Sequence, residues 1–202
     1  MQIGERHGLY RDAGPLWECQ WDLNHRSDES AHPRRRIHPP YERVACKSDL
    51  EPLNDQMISW SKAIARLWAC MVVQRDSAWW HMRYLEWPDY MLWTDKVTGC
   101  VALRWLDIEN RTADRTTLEW LDGIAAPEKW PSLLRDVLEI ASGLGAKRLV
   151  CWASDIAFQT LQSCAHPAFS ANPLLARVGT SHWVSAPHDN RLWLMGGDSD
   201  FR

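Results

Sequence analysis

No apolar run in this 202-residue chain approaches the roughly 20 residues that a helix needs to cross a bilayer. The first residues, Met-Gln-Ile-Gly-Glu-Arg-His, lack the apolar core of a secretory leader, so a cytoplasmic location is the default expectation. Neither charge dominates. A net charge of −3 and a pI near 6.2 give no global pull towards nucleic acid or an anionic membrane. The six cysteines (Cys19, Cys46, Cys70, Cys100, Cys151, Cys164) contain no CxxC pair, which favours reduced, mostly buried thiols over a disulfide framework. Cys19, His25, His32 and His38 match no zinc spacing, so no metal is expected. No internal repeat is present. Tryptophan is abundant instead: of 14 large amphipathic rings some must be core, the favoured role for any single one, and so many also suit a pocket or a partner surface. The length fits one domain, or one domain with a long arm, able to bury a real core.

The best-punctuated stretch runs from Thr116 to Trp152. Thr117–Ile124 reads as a strand, Pro127 to Pro131 as a loop, and Arg148–Trp152 as a second strand. Between them Leu133, Leu134, Val137, Leu138 and Ala141 form one apolar stripe at helical period. Pro131 suits a first helical turn, and Gly143 and Gly145 supply a stop. Upstream, residues 1–40 read as an irregular arm, with Trp17 and Trp21 spaced to anchor one helical turn. Arg34-Arg35-Arg36 reads as a solvated turn. Tyr41–Lys47 alternates as a strand. Ser48-Asp-Leu-Glu51 spells a capping box for an amphipathic helix to about Met71. Asp76 caps a shorter helix, Ser77–Glu86, which Pro88 stops. Tyr90–Thr94 and Cys100–Asp107 form a hairpin. After Trp152, a helix from Ser154 or Asp155 reaches Cys164. Pro173–Ser185 then contains a strand (Leu175–Val178 and then Ser181–Val184), and Asn190–Met195 is the last strand. The expected fold is α/β: a mixed, mostly antiparallel sheet with helices on both faces.

This order resembles the GNAT fold of the acyl-CoA-dependent N-acyltransferases, and more narrowly GNAT-like proteins related to the FemAB and polysaccharide-linked acyltransferases. The resemblance rests on Arg75-Asp76-Ser-Ala-Trp79-Trp80-His-Met82-Arg83-Tyr84, then Pro88 and Tyr90, and on the ending Trp193-Leu-Met-Gly-Gly-Asp198-Ser-Asp200. It covers about Arg43 to Asp200, giving a single GNAT-like domain at 41–202 behind the arm. Relatives often carry two such domains in tandem. The resemblance therefore implies a homodimer, or a partner protein that supplies a second half.

The same resemblance makes Thr116–Trp152 a thioester cradle for acetyl-CoA or another acyl-CoA. Two parallel strands splay apart, and the pantetheine arm lies between them. Ile124, Ala125 and Ala126 then pair with that arm, and Lys129, Trp130 and Ser132 approach the phosphates. Free N–H groups at a helix start support an anion there. This loop, Pro127-Glu-Lys-Trp-Pro-Ser132, carries no glycine, and 155–166 carries no tyrosine to protonate a leaving thiolate. Amine acylation also needs a base and an oxyanion site. Asp122, before Gly123, is the first candidate for base or substrate contact, with Glu119 beside it; a strand-end carboxylate capping a turn is the alternative. N–H groups around Ile124 are the natural oxyanion donors. Arg83, Tyr84, Trp120 and His182 are the substrate-contact candidates; Arg83 and Tyr84 equally suit tying the short helix to the sheet. Cys151 has no histidine beside it in the sequence and reads as a packed thiol. Asp198 and Asp200 alone make no metal site. Two classes of function follow: acyl transfer to a small-molecule amine or hydroxyl acceptor, or a GNAT-like binding or regulatory module without chemistry.

Overall fold

The computed structural model describes residues 10–24, 41–106, 116–164, 169–181, 192–193 and 195. Its first element corrects the reading of an irregular arm at residues 10–22; 1–9 and 25–40 lie outside the described residues. Tyr10–Asp22 is a strand (β1), built into the sheet along both of its edges. Trp17 and Trp21, expected on one helical turn, lie instead on one face of this strand. A four-residue spacing satisfies period 2 as well as period 3.6. The polar Glu18 and Gln20 between Trp17, buried Cys19 and buried Trp21 settle it in favour of alternation.

Glu42–Arg43 (β2) is shorter than the strand expected over Tyr41–Lys47. The cap then shifts: Asp49, not Ser48, closes it, accepting the N–H groups of Ala45 and Cys46 at 2.9 and 3.1 Å. Two short 3-10 turns, one carrying Pro52, delay the regular helix to Asn54–Leu67 (α1). The helix ends before Met71 because Ala69 turns to φ 46°. Met71–Val72 (β3) follows as a short strand.

Ser77–Trp80 (α2) is capped as expected, Asp76 accepting from the Trp79 N–H at 2.7 Å. His81–Leu85 continues it as a wider π-helical turn. The hairpin forms from Tyr90–Thr94 (β4) and Gly99–Trp105 (β5), and Thr117–Ala125 (β6) joins β5. Trp130–Gly143 (α3) buries the stripe Leu133, Leu134, Val137, Leu138 and Ala141. Gly145, at φ 85°, follows its end. Arg148–Ser154 (β7) and Asp155–Ser163 (α4) come next. Phe169–Ser181 (β8) takes up the strand expected within 173–185 and starts earlier than expected; 182–185 lie outside the described residues. Leu192–Trp193 (β9) is the last strand among the described residues.

The main sheet has seven strands in the order β2-β4-β5-β6-β7-β1-β8, and β6–β7 is its one parallel pair. β3 and β9 pair in parallel as a separate two-stranded sheet. This is the mixed, mostly antiparallel α/β architecture expected. Among the described residues, no helix is long and apolar enough to cross a membrane.

Candidate functional site

The parallel strands β6 and β7 hold together over three residue pairs, Thr117↔Arg148, Leu118↔Leu149 and Glu119↔Val150. Beyond these they part. β6 stays on β5 as far as Ala125, while β7 stays on β1 as far as Ser154. The separation begins at a bulge. Trp120 faces Leu103 and Asp122 faces Ala102, which leaves Leu121 as an extra residue on β6. One extra residue bends its strand and increases local twist, so β6 turns away from β7 there.

Asp122 lies just past the bulge, and it is fully buried. Arg75, also fully buried, donates its Nε to both carboxylate oxygens at 3.0 and 2.9 Å. The Tyr84 hydroxyl donates to Oδ2 at 3.3 Å, and the Gly123 N–H to Oδ1 at 2.7 Å. Arg75 is itself held by Val73, whose carbonyl accepts Nη1 at 2.9 Å, and by the Trp79 ring, 5.3 Å from its guanidinium carbon. The Asp122 carbonyl accepts the Trp120 indole N–H at 2.8 Å. This folds the Trp120 ring back over its own strand, so that a β-carbon at position 123 would sit 3.0 Å from it. Asp122, Tyr84 and Trp120 are thus brought together, with Arg75 added. Arg75 is the residue the candidate set lacked. Its signal was present in the Arg75-Asp76 pair at the head of the quoted motif.

Glu119, on the last paired rung and fully buried, accepts Nε and Nη2 of Arg104 at 3.0 and 2.8 Å. Both candidate carboxylates are therefore buried and paired with an arginine, fully out of water at Arg75–Asp122 and with Arg104 still partly exposed at Glu119. Arg83 is half-buried on the π-helical turn. His182, Asp198 and Asp200 lie outside the described residues. Within the described residues, no three His, Cys, Asp or Glu side chains are gathered in a way that could hold a metal ion.

Of the cofactor candidates, Ile124 and Ala125 are buried on β6, paired with Cys100 and Gly99 of β5. Ala126 precedes a 3-10 turn, Pro127–Lys129, that leads into α3. Lys129 is exposed and Ser132 half-buried. Trp130 departs from expectation. It stands three and four residues before Leu133 and Leu134, so its ring joins their stripe and is buried. It stacks on Trp120 at 6.1 Å and meets Trp193 at 5.0 Å.

These contacts belong to an aromatic series through the interior. Phe169 meets Trp21 at 5.3 Å, Trp21 meets Trp120 at 6.3 Å, and Trp193 stacks on Trp68 at 4.9 Å. Trp21, Trp130 and Trp193 are buried with indole N–H groups that find no acceptor among the described residues.

Cys151 packs mid-strand opposite Cys19 of β1. Burial pushes the Cys19 thiol up to about 12 and the Cys151 and Cys100 thiols well above the usual range. All three therefore stay protonated at neutral pH and are poor nucleophiles. Treatment of the native protein with a disulfide reagent at pH 8 is expected to label the exposed Cys46 rapidly and these three only after denaturation. Mass spectrometry of the adducts checks this; rapid native labelling of Cys151 would return it to the list of nucleophiles.

No family model matches the sequence, and neither does any curated protein. Among solved structures, a GCN5-related N-acetyltransferase from Anabaena variabilis ATCC 29413 superposes with a TM-score of 0.53 over 86% of this chain at 16% identity. A GCN5-related N-acetyltransferase from Kribbella flavida aligns over 90% of this chain at 12% identity, with a TM-score of 0.48. This chain spans 42% and 40% of those two chains, less than half of either. The Anabaena likeness is one of fold: the chain has the GNAT fold.

Proposed function

We propose that this chain is an acyltransferase of GNAT type, moving an acyl group from an acyl-CoA, acetyl-CoA being the simplest, or from a carrier-bound thioester to an amine or hydroxyl of a small metabolite or sugar. The observation that carries this reading is the parting of β6 and β7 after Glu119↔Val150, with the start of α3 directly after β6. An extended, amide-bearing arm can run beside an unpaired strand as another strand does. The exposed Lys129 at the helix start supplies the charge a pyrophosphate needs. Pro131 and the absence of glycine in 127–132 work against a close backbone grip. The indoles of Trp120, Trp130 and Trp193 pack against one another beside this gap. No chemical step is therefore routed through the cofactor.

On this reading Arg75, Tyr84 and Asp122 hold the mouth of the splay in shape. Asp122 then serves as an anchor, since both of its oxygens are already engaged. Trp120 and Arg83 remain the candidates for acceptor contact. Titration with acetyl-CoA and longer acyl-CoAs by calorimetry is expected to give saturable binding, weakened roughly tenfold by Lys129→Glu, in keeping with the size of helix-terminus charge effects. Absence of binding to every acyl-CoA overturns the reading in its CoA form.

The pairing of both buried carboxylates with arginines favours a second reading, a GNAT-fold binding or regulatory module. Acyl-CoA binding without release of free CoA, whatever amine is offered, selects it. The chain's span of 42% of the Anabaena protein motivates one more element of the proposal: a second GNAT-like half, from another copy or from a partner protein. Sedimentation of the purified chain, alone and after pull-down, tests that element; a monomer that captures nothing removes it.

A further inference from the structure

Residues paired across adjacent strands share a face of the sheet, so the register carries one face from strand to strand. Arg104, Glu119, Val150 and Gln20 form one rung of the face opposite Trp17, Cys19 and Trp21. On the next rung stand Ala102 and Asp122, and then, across the parting of β6 from β7, Trp152, Glu18 and Asn172. The two halves of this face differ. Ala102 and Asp122 are fully buried, and Tyr84 reaches Asp122 from the π-helical turn. Trp152, Glu18 and Gln20 are half-buried and Asn172 is exposed. An open polar floor therefore begins where the strands part.

Glu18 sets the charge of that floor. Its carboxylate accepts from the Gln20 amide and, at 3.3 Å, from the Trp152 indole N–H, both neutral donors. The neighbouring carboxylates on this face each have an arginine: Asp122 holds Arg75, Glu119 holds Arg104, and Asp22 stands opposite Arg148. Glu18 has no such partner among the described residues. Its two donors fix the direction of the carboxylate without cancelling its charge, and a carboxylate can accept more bonds than these two.

We propose that Glu18 and Trp152 form a seat for the acceptor, and that the acceptor carries a positive charge on a part that does not react. The proposal rests on the acyl-transfer reading for what happens in the parting; the seat is read from the register and the hydrogen bonds above. Two points separate the charged part from the reacting group. β7 stands between β1 and the parting, so Glu18 lies one strand spacing, about 5 Å, behind the cleft edge. An ammonium group beside a carboxylate also holds its proton more firmly, and a protonated amine is no nucleophile. The half-buried Trp152 ring lies between, on the strand that borders the parting, and offers apolar surface to the carbon chain joining the two ends.

The test uses cadaverine, with an ammonium at each end, and two single-ended compounds of the same chain length, pentylamine and the neutral pentanol. Calorimetry measures cadaverine binding to the parent chain, Glu18→Gln and Trp152→Ala, after circular dichroism has verified each fold. Binding is expected to weaken roughly tenfold in Glu18→Gln, the size of one hydrogen bond to a charged group, and to weaken in Trp152→Ala as well. Release of free CoA from acetyl-CoA is then followed with each amine. The parent is expected to favour cadaverine over pentylamine in kcat/KM, and Glu18→Gln to lose that preference. Equal cadaverine affinity in the parent and Glu18→Gln overturns the proposal, as does a parent that binds no cadaverine. Unchanged affinity in Trp152→Ala removes the ring from the seat. CoA release without a preference between the amines overturns the proposal and leaves the acyl-transfer reading standing. Binding that depends on Glu18 without any CoA release upholds the seat and selects the binding-module reading instead. Should Glu18→Gln not fold, the parent decides alone, pentanol binding as tightly as cadaverine overturning the proposal.

Discussion

A chain that begins at Tyr41 is expected not to fold. Its missing residues include β1, which fills the place between β7 and β8, from Leu16↔Ser154 to Asp22↔Arg148 on one side and from Tyr10↔Ser181 to Trp21↔Phe169 on the other. Without β1 both neighbours lose their ladder partner, and the backbone groups so released must find water inside a sheet. The side chains weigh as heavily. Cys19 and Trp21 are fully buried, and Trp17 stacks on Phe158 of α4 at 4.2 Å. Truncating one buried aromatic of this size costs about 3–5 kcal/mol, against a total stability of roughly 5–15 kcal/mol for a typical domain. Far- and near-ultraviolet circular dichroism of the 41–202 chain is the check, and a native-like near-ultraviolet spectrum would show that β1 is dispensable. Trp21→Ala is the graded version, expected to lower the unfolding free energy in urea by about 3–5 kcal/mol.

The second large effect is expected at Asp122. In Asp122→Ala the Arg75 guanidinium stays buried without its counter-charge, and Tyr84 and the Gly123 N–H lose an acceptor. Removing one partner of a buried ion pair costs about 3–5 kcal/mol, because the penalty is the stranded charge more than the lost contact. The sign of the companion experiment follows. The double variant Arg75→Met with Asp122→Leu removes both charges and is expected to recover most of the loss, since an apolar replacement of similar volume is often near neutral. Urea unfolding of the single and double variants measures both. A single variant within about 1 kcal/mol of the parent, the range of an exposed pair, would mean that this pair does not anchor the bulge.

The contrast between α3 and β1 shows how much of the fold was legible in the sequence. Pro127, Pro131, the Leu133–Ala141 stripe and Gly145 act within one or two turns of one another, so α3 and its flanking strands follow from local pattern. The same holds for Asp76 capping α2 and for the β4–β5 hairpin. β1 does not follow from local pattern because the Trp17–Trp21 spacing serves two periods, and because its partners begin at Arg148, far along the chain. The candidate site divides likewise. The positions of Ile124, Ala125 and Lys129 follow from β6 and the loop. The environment of Asp122 does not, since a carboxylate before a glycine reads the same whether it is solvated or held by Arg75. Trp130 belongs between these cases: its offset from Leu133 and Leu134 extends the stripe by one residue, a signal present in the sequence and given to the phosphates instead.

The position of β1 also sets an order of events. β1 is made long before its partners, since neither strand that borders it exists until Arg148–Ser154 and Phe169–Ser181 have been made. Contacts so distant along the chain close slowly, because the entropy of the long loop is lost before any pairing offsets it. Until then the nascent chain carries a strand with Cys19 and Trp21 unburied and two open edges, a species exposed to wrong pairing. The β7–β1–β8 seam is thus the sheet's last to be sewn, and recovery of this protein in folded form will depend on how long β1 can be kept from other strands while its neighbours are made.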